Sequence, residues 1–146
     1  MNCVVDASVA VKWFVRENMH EQALALINSE TRLIAPDFIV CEITNTLWKK
    51  CIRREITTSQ AEAIAQAVTP QFSRLYPAAE LNERALEIGL TLNHPIYDCL
   101  YIACAERSGG VLVTDDRRLL NTVAHSDFEE ITIGLGDPDW QVFLSP

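Results

Sequence analysis

The stretch "IYDCLYIACAERSGGVLVTDDRRLL", Ile96 to Leu120, carries the fold in miniature. An apolar helical run starts after Pro95 and ends at paired glycines, which stop helices because glycine enters the left-handed conformation without a steric penalty. "VLVT", Val111 to Thr114, follows as a short β-branched strand, and "DDRRLLNTVAH" reads as a helix. Helix, strand and helix with short joins form the unit of a parallel sheet covered on both faces, so the rest of the chain is expected to alternate in the same way.

Working outward, it does. "NCVVDAS" reads as a buried strand, Asn2 to Val5, that ends on Asp6 and runs into a helix continuing through "VAVKWFV". "MHEQALALINSE" is a second helix, and "RLIAPD" a strand with a turn at Pro36 and Asp37 as N-cap of the next helix. That helix, "FIVCEITNTLWKKCIRRE", turns Phe38, Ile39, Ile43 and Leu47 toward a core and gathers Lys49, Lys50, Arg53 and Arg54 near its end, where cations suit the helix dipole. "TTSQAEAIAQAV" has Glu62 three residues after Ser59, a capping-box pattern, and its helix ends at Pro70. "AAELNERALEIGLTLN" is a further helix and "EEITIG" a last strand, while the tail "LGDPDWQVFLSP" is expected to pack loosely or at an interface. The fold class is α/β, three-layered, with a central mainly parallel sheet flanked by helices.

With 146 residues, 49% of them hydrophobic, the chain is expected to form one domain over residues 1–146 with a true core, since chains near this size bury roughly 70% of their unfolded surface. No apolar run approaches the roughly 18 residues of a membrane span and no basic leader precedes "MNCVVDASVAVKWFV", so a cytoplasmic protein with no membrane contact is expected. Cys3, Cys41, Cys51, Cys99 and Cys104 are odd in number, sit mostly in apolar segments and form no Cys-x-x-Cys pair; they read as buried reduced thiols. His20, His94 and His125 lack metal-ligand or catalytic spacing and receive no role. The net charge of −8 excludes a protein that holds nucleic acid by a broad basic face, although a local basic strip beside an acidic metal site is compatible with it.

In parallel α/β sheets, ligands bind beyond the carboxyl ends of the strands. There the chain puts Asp6, after the first strand, and the adjacent Asp115 and Asp116, after "VLVT". Two more acids stand where the apolar pattern does not ask for them: Glu42, with Asn45 three positions on and adjacent on the helix surface, and Asp98 in the first turn after Pro95. Structural roles account for several of these singly. Asp98 favours a helix N-terminus, and Asp6 or Asp115 would serve as N-caps; Glu42 on a half-buried face needs a partner. Together, four carboxylates in one pocket repel one another, and a hard divalent cation supplies the missing counter-charge. An all-oxygen set points to Mg²⁺, with Mn²⁺ as substitute, and to phosphodiester chemistry. Ser8 and Thr114 have hydroxyls placed to orient the carboxylates.

These residues carry a resemblance. "VVDASVAVKWF", Glu42 and Asn45 in "CEITNTL", Asp98 in "IYDCLYIACAERSGGVLVT", and "TDDRRLL" resemble the four acidic blocks of the PIN-domain nucleases, most closely the VapC-type toxins, over Asn2 to Leu120. The resemblance implies a PIN-like fold and an Mg²⁺-dependent endoribonuclease, the toxin of a toxin–antitoxin pair, acting as a homodimer and inhibited by a cognate antitoxin protein. It matches the acids to Asp6, Glu42 and Asp98, and picks Asp116, two residues after Thr114, as the fourth, leaving Asp115 as a cap or outer charge. Asp6 and Asp98 become the direct metal ligands, and Arg117, Arg118 and the strip Lys49, Lys50, Arg53 and Arg54 the candidates to grip RNA phosphates.

Competing readings are a PIN nuclease that is not a toxin, a silent PIN-like binding module and a strand-aspartate phosphatase. The module is disfavoured because all four acids are present. The phosphatase is disfavoured because Ser8 stands where a second aspartate belongs. Trp13, Phe14, Trp48, Tyr76, Trp140 and Phe143 read as core or interface residues rather than base-stacking platforms.

Overall fold

The protein, seen here as a computed structural model, is described over residues 1–143. Five strands run β1 (Asn2–Val5), β2 (Arg32–Pro36), β3 (Arg74–Tyr76), β4 (Val111–Thr114) and β5 (Thr132–Gly134). Between them lie α1 (Ala7–Ala10), α2 (His20–Ile27), α3 (Ile39–Ile52), α4 (Thr58–Val68), α5 (Asn82–Leu92), α6 (Ile96–Ser108), α7 (Arg117–Val123) and, last, α8 (Trp140–Phe143). The sheet order is β3-β2-β1-β4-β5 and every pairing is parallel, so the expected α/β three-layer architecture is present with a sheet that is parallel throughout.

The centre of the sheet is buried because β1 carries apolar residues on both faces: Cys3, Val4 and Val5 are all fully buried. α6 is likewise buried without a break from Cys99 to Ala105, as expected of a helix that is apolar all round and lies between the sheet and a second helix. It packs on β1, β2 and β4 and carries α5 behind it. Two glycines permit the closeness. A Cβ on Gly89 would stand 2.4 Å from Ile96 Cδ1 and 2.9 Å from the His94 carbonyl oxygen, and one on Gly110 would stand 2.5 Å from the Asn2 carbonyl oxygen. α6 ends where the glycine pair predicts, with Gly109 left-handed at φ 63°.

Several local expectations are corrected. β3 has no counterpart in the sequence reading. Asp37 does not cap α3; its side chain accepts from the Ala78 N–H at 2.9 Å, because the ends of β2 and β3 lie side by side and its own N–H donates to the Tyr76 carbonyl. The capping box of α4 is Thr57 with Gln60, not Ser59 with Glu62. The helix after β1 is a single α turn that tightens into a 3₁₀ turn at Val11–Trp13, and "EEITIG" likewise begins with a 3₁₀ turn, Glu129–Ile131. The tail is not loose at Trp140, which is 5% exposed; the Phe143 side chain lies outside the described residues. Trp13 and Tyr76 are buried and Phe14 partly so, but Trp48 is exposed. Of the cysteines, all free, Cys3, Cys99 and Cys104 are buried, while Cys41 is exposed and Cys51 half-buried.

Candidate active site

The strand order reverses between β1 and β4, the switch point at which a parallel sheet opens a crevice beyond its carboxyl edge. The register pairs Val5 with Val113, which sets Asp6 level with Thr114. The Thr114 hydroxyl donates to Asp6 Oδ2, Ser8 Oγ donates to Oδ1 at 2.5 Å, and the Val9 N–H reaches Oδ1 at 3.2 Å, so Asp6 is also the N-cap of α1. Burial pushes the Asp6 carboxyl up to about 6; the three hydrogen bonds oppose this and the Asp116 charge adds to it.

Glu42 comes from α3, half-buried, and its partner is Tyr101 of α6, whose hydroxyl donates to Oε1 at 2.5 Å. Burial, opposed by that bond and assisted by the charges of Asp6, Asp98 and Asp116, pushes Glu42 up to about 7. The Tyr101 phenol is pushed far up, first by burial and then by Glu42, Asp6 and Asp98. Glu42 therefore lies within electrostatic reach of the other three acids singled out in the sequence. Asp98 opens α6 and is held by His94, whose Nε2 lies 2.7 Å from Asp98 Oδ2. Tyr101 and His94 were not foreseen. The spacing offered a signal for each, because His94 precedes Asp98 by four residues and Tyr101 follows it by three.

The two adjacent aspartates divide, though not wholly as expected. Asp116 caps α7, its Oδ1 accepting from the N–H groups of Arg118 at 2.9 Å and Leu119 at 3.2 Å, while its own N–H donates to Thr114 Oγ1. Asp115 is thus not the cap. It is an outer charge, 3.2 Å from the nearly buried Lys12 Nζ, with its backbone N–H on Ser8 Oγ. Lys12 also meets Glu17 at 3.2 Å, and Glu17 meets Lys50 at 2.6 Å. Burial disfavours the Glu17 charge, but the two lysines outweigh it and hold the carboxyl below its usual range. Lys50 is thereby withdrawn from the basic strip; Lys49, Arg53, Arg54, Arg117 and Arg118 stay exposed. Asn45 is exposed one turn beyond Glu42 and makes no hydrogen bond to the acids.

The donor set suits a hard divalent cation. Asp6, Glu42 and Asp116 have no lysine or arginine in ion-pair contact among the described residues, since Lys12 is turned to Asp115 and Glu17. The acids are all-oxygen donors, and two of them are driven toward neutrality by burial and mutual charge. They do not form a ready-made cage: among the described residues no three acidic, histidine or cysteine side chains converge as a ligand group. Each carboxylate is turned instead to its own hydrogen-bond donors: Asp6 to Ser8 and Thr114, Glu42 to Tyr101, Asp98 to His94, and Asp116 to the α7 backbone.

Fold and pocket define a class, a parallel α/β protein whose acids gather at the sheet's switch point. The PIN domain family model matches residues 3–125. The chain is 32% identical over 121 residues to the ribonuclease VapC3 of Pyrobaculum aerophilum, a match covering 82% of this chain and 92% of that one. It is also 32% identical over 119 residues to a protein of the same organism named exonuclease VapC9, covering 80% of each. The crystal structure of PAE2754, again from Pyrobaculum aerophilum, superposes with a TM-score of 0.63 at 23% identity over 98% of this chain and 87% of the other, which speaks to the fold alone. The chain belongs to the PIN-domain family, among its VapC-type members.

Proposed function

We propose that this chain is a Mg²⁺-dependent endoribonuclease of a single domain, residues 1–146, and the toxin of a toxin–antitoxin pair. The observation that carries the reading is the switch-point pocket. Two strand–helix connections carry Asp6 and Asp116, two helix first turns carry Glu42 and Asp98, Glu42 feels the charge of the other three, and Lys12 and Lys50 are paired elsewhere. Asp6 and Asp98 would hold the ion, with Glu42 and Asp116 completing the pocket. When bound, the cation would supply charge neutralisation of a phosphodiester and activation of a water.

The chain's own residues supply position and proton transfer. Ser8 and Thr114 fix both oxygens of Asp6, and the α7 backbone fixes one oxygen of Asp116. Glu42, held on one oxygen by Tyr101, is the carboxylate proposed to accept a proton from water. Exposed Arg117 and Arg118, directly after Asp116, with the exposed Lys49, Arg53 and Arg54, are the candidates to hold RNA phosphates.

Partners follow from the same reading: an RNA substrate, a cognate antitoxin and a second copy of the chain. Apolar side chains left at the surface support a protein partner, with Trp48 at 59% and Ile52 at 66% exposure one turn apart on α3. No helix among the described residues is long and apolar enough to cross a membrane.

The test uses total RNA and a covalently closed RNA circle, each with Mg²⁺. An endonuclease opens the circle and leaves mapped internal cuts. Shortening of linear RNA from its ends, with the circle untouched, would contradict the endonucleolytic reading and match the name exonuclease carried by one relative. Expression in a host should arrest growth until a protein encoded beside this chain is co-expressed; unarrested growth would contradict the toxin assignment.

A further inference from the structure

His94 is the one nitrogen base in hydrogen-bond contact with the four acids among the described residues. Its side chain is only 2% exposed. Its backbone is held on both sides: the N–H donates to the Gly89 carbonyl at 3.1 Å, and the Cys99 thiol lies 3.9 Å from its carbonyl oxygen. Asn93 before it is left-handed at φ 51°, which turns the chain out of α5, and Pro95 after it fixes the start of α6. Gly89 has no side chain because His94 and Ile96 occupy that space. The loop between α5 and α6 thus delivers one ring nitrogen to one oxygen, Nε2 to Asp98 Oδ2 at 2.7 Å. An ionised carboxylate only accepts hydrogen bonds, so Nε2 carries the proton in this contact.

We propose that His94 is a positioning residue of the metal pocket, whose ring N–H pins one oxygen of Asp98 so that the other is held out toward a divalent cation. The inference rests on the metal-nuclease reading and adds a residue to it. Asp98 is an α6 side chain with several rotamers open to it, and its remaining oxygen has no protein donor among the described residues. A partner that fixes one oxygen removes the rotational entropy that binding would otherwise cost, as donors behind metal ligands do elsewhere. Glutamine can present a donor near the position of Nε2, whereas leucine fills similar space with none.

The experiment measures Mn²⁺ binding to the full chain by calorimetry, without RNA, for the wild type, His94→Gln, His94→Leu and Asp98→Asn. His94→Leu is expected to weaken Mn²⁺ binding about 10- to 100-fold while His94→Gln stays close to the wild type. Equal affinity of His94→Leu and wild type, or a His94→Gln as weak as His94→Leu, overturns the proposal. Should His94→Leu fail to fold, long-range proton–nitrogen spectra of the metal-free wild type decide. The His94 ring should show a protonated Nε2 and shift on adding Mg²⁺ with the midpoint of metal binding; an unmoved ring overturns the proposal. A wild type that binds no Mn²⁺ overturns the metal reading and this inference with it. Loss of binding in Asp98→Asn beside an unchanged His94→Leu overturns this inference alone.

Discussion

Asp115 and Asp116 are neighbours in sequence with different tasks. Asp116 uses one oxygen to cap α7, and asparagine caps helices as well as aspartate does, so Asp116→Asn should keep the fold while lowering RNA cleavage by roughly 100-fold. Asp115→Asn should do the reverse. It removes one of the two carboxylates on the nearly buried Lys12, at a cost of about 1–3 kcal/mol in urea unfolding, and leaves cleavage at the same order of magnitude. Equal cleavage losses in the two variants would contradict the division. At this scale the sequence was legible where a residue's task is local. Ser8 and Thr114 were picked out by spacing and do hold Asp6; the task of Asp115 was left open between cap and outer charge, because what decides it is Lys12, far away in the chain.

At the level of elements, the close join of α5 and α6 is the feature most exposed to a single change. Gly89→Ala would set a methyl against the His94 carbonyl oxygen at 2.9 Å and the Ile96 side chain at 2.4 Å. The side chain can move, but the backbone oxygen resists, so a loss of about 1–3 kcal/mol is expected, read as a lower melting temperature. An unchanged melt would show that the loop has room to yield. The alternation of strands and helices was readable because β1 and β4 carry short apolar runs rich in valine and because α4 and α6 close on Pro70 and on the Gly109–Gly110 pair. β3 was not, because Arg74–Tyr76 is three residues long at the sheet edge and only its last residue is buried. The capping box of α4 slipped by two residues because Thr57-x-x-Gln60 and Ser59-x-x-Glu62 both satisfy the pattern, and the helix begins at the earlier one.

For the molecule as a whole, the pocket ties stability to pH. The folded pKa of Asp6, at about 6, lies above its unfolded value, so between these values the folded state binds more protons and its stability falls as pH rises. Glu42, pushed up to about 7, acts in the same direction. Metal-free protein should therefore be less stable at pH 7.5 than at pH 5, with Asp6 contributing about 1–1.5 kcal/mol of the loss between them. Urea unfolding of the wild type and Asp6→Asn at both pH values checks this: the variant should lose less, and equal losses would contradict the burial argument. Mg²⁺ should reduce the loss by favouring the ionised acids. Asp6 and Asp116 were legible from their place directly after a strand, and Glu42 and Asp98 from standing against the apolar pattern and from the family resemblance; what no local pattern displays is the packing of α3 and α6 that carries the latter two.

The most direct test of the central claim is the rate of RNA cleavage by wild type and Asp6→Asn with Mg²⁺ and with a chelator. The account predicts cleavage by the wild type with Mg²⁺ only, and loss of that activity in a variant that folds with unchanged circular dichroism. Cleavage by Asp6→Asn at the wild-type rate would contradict it.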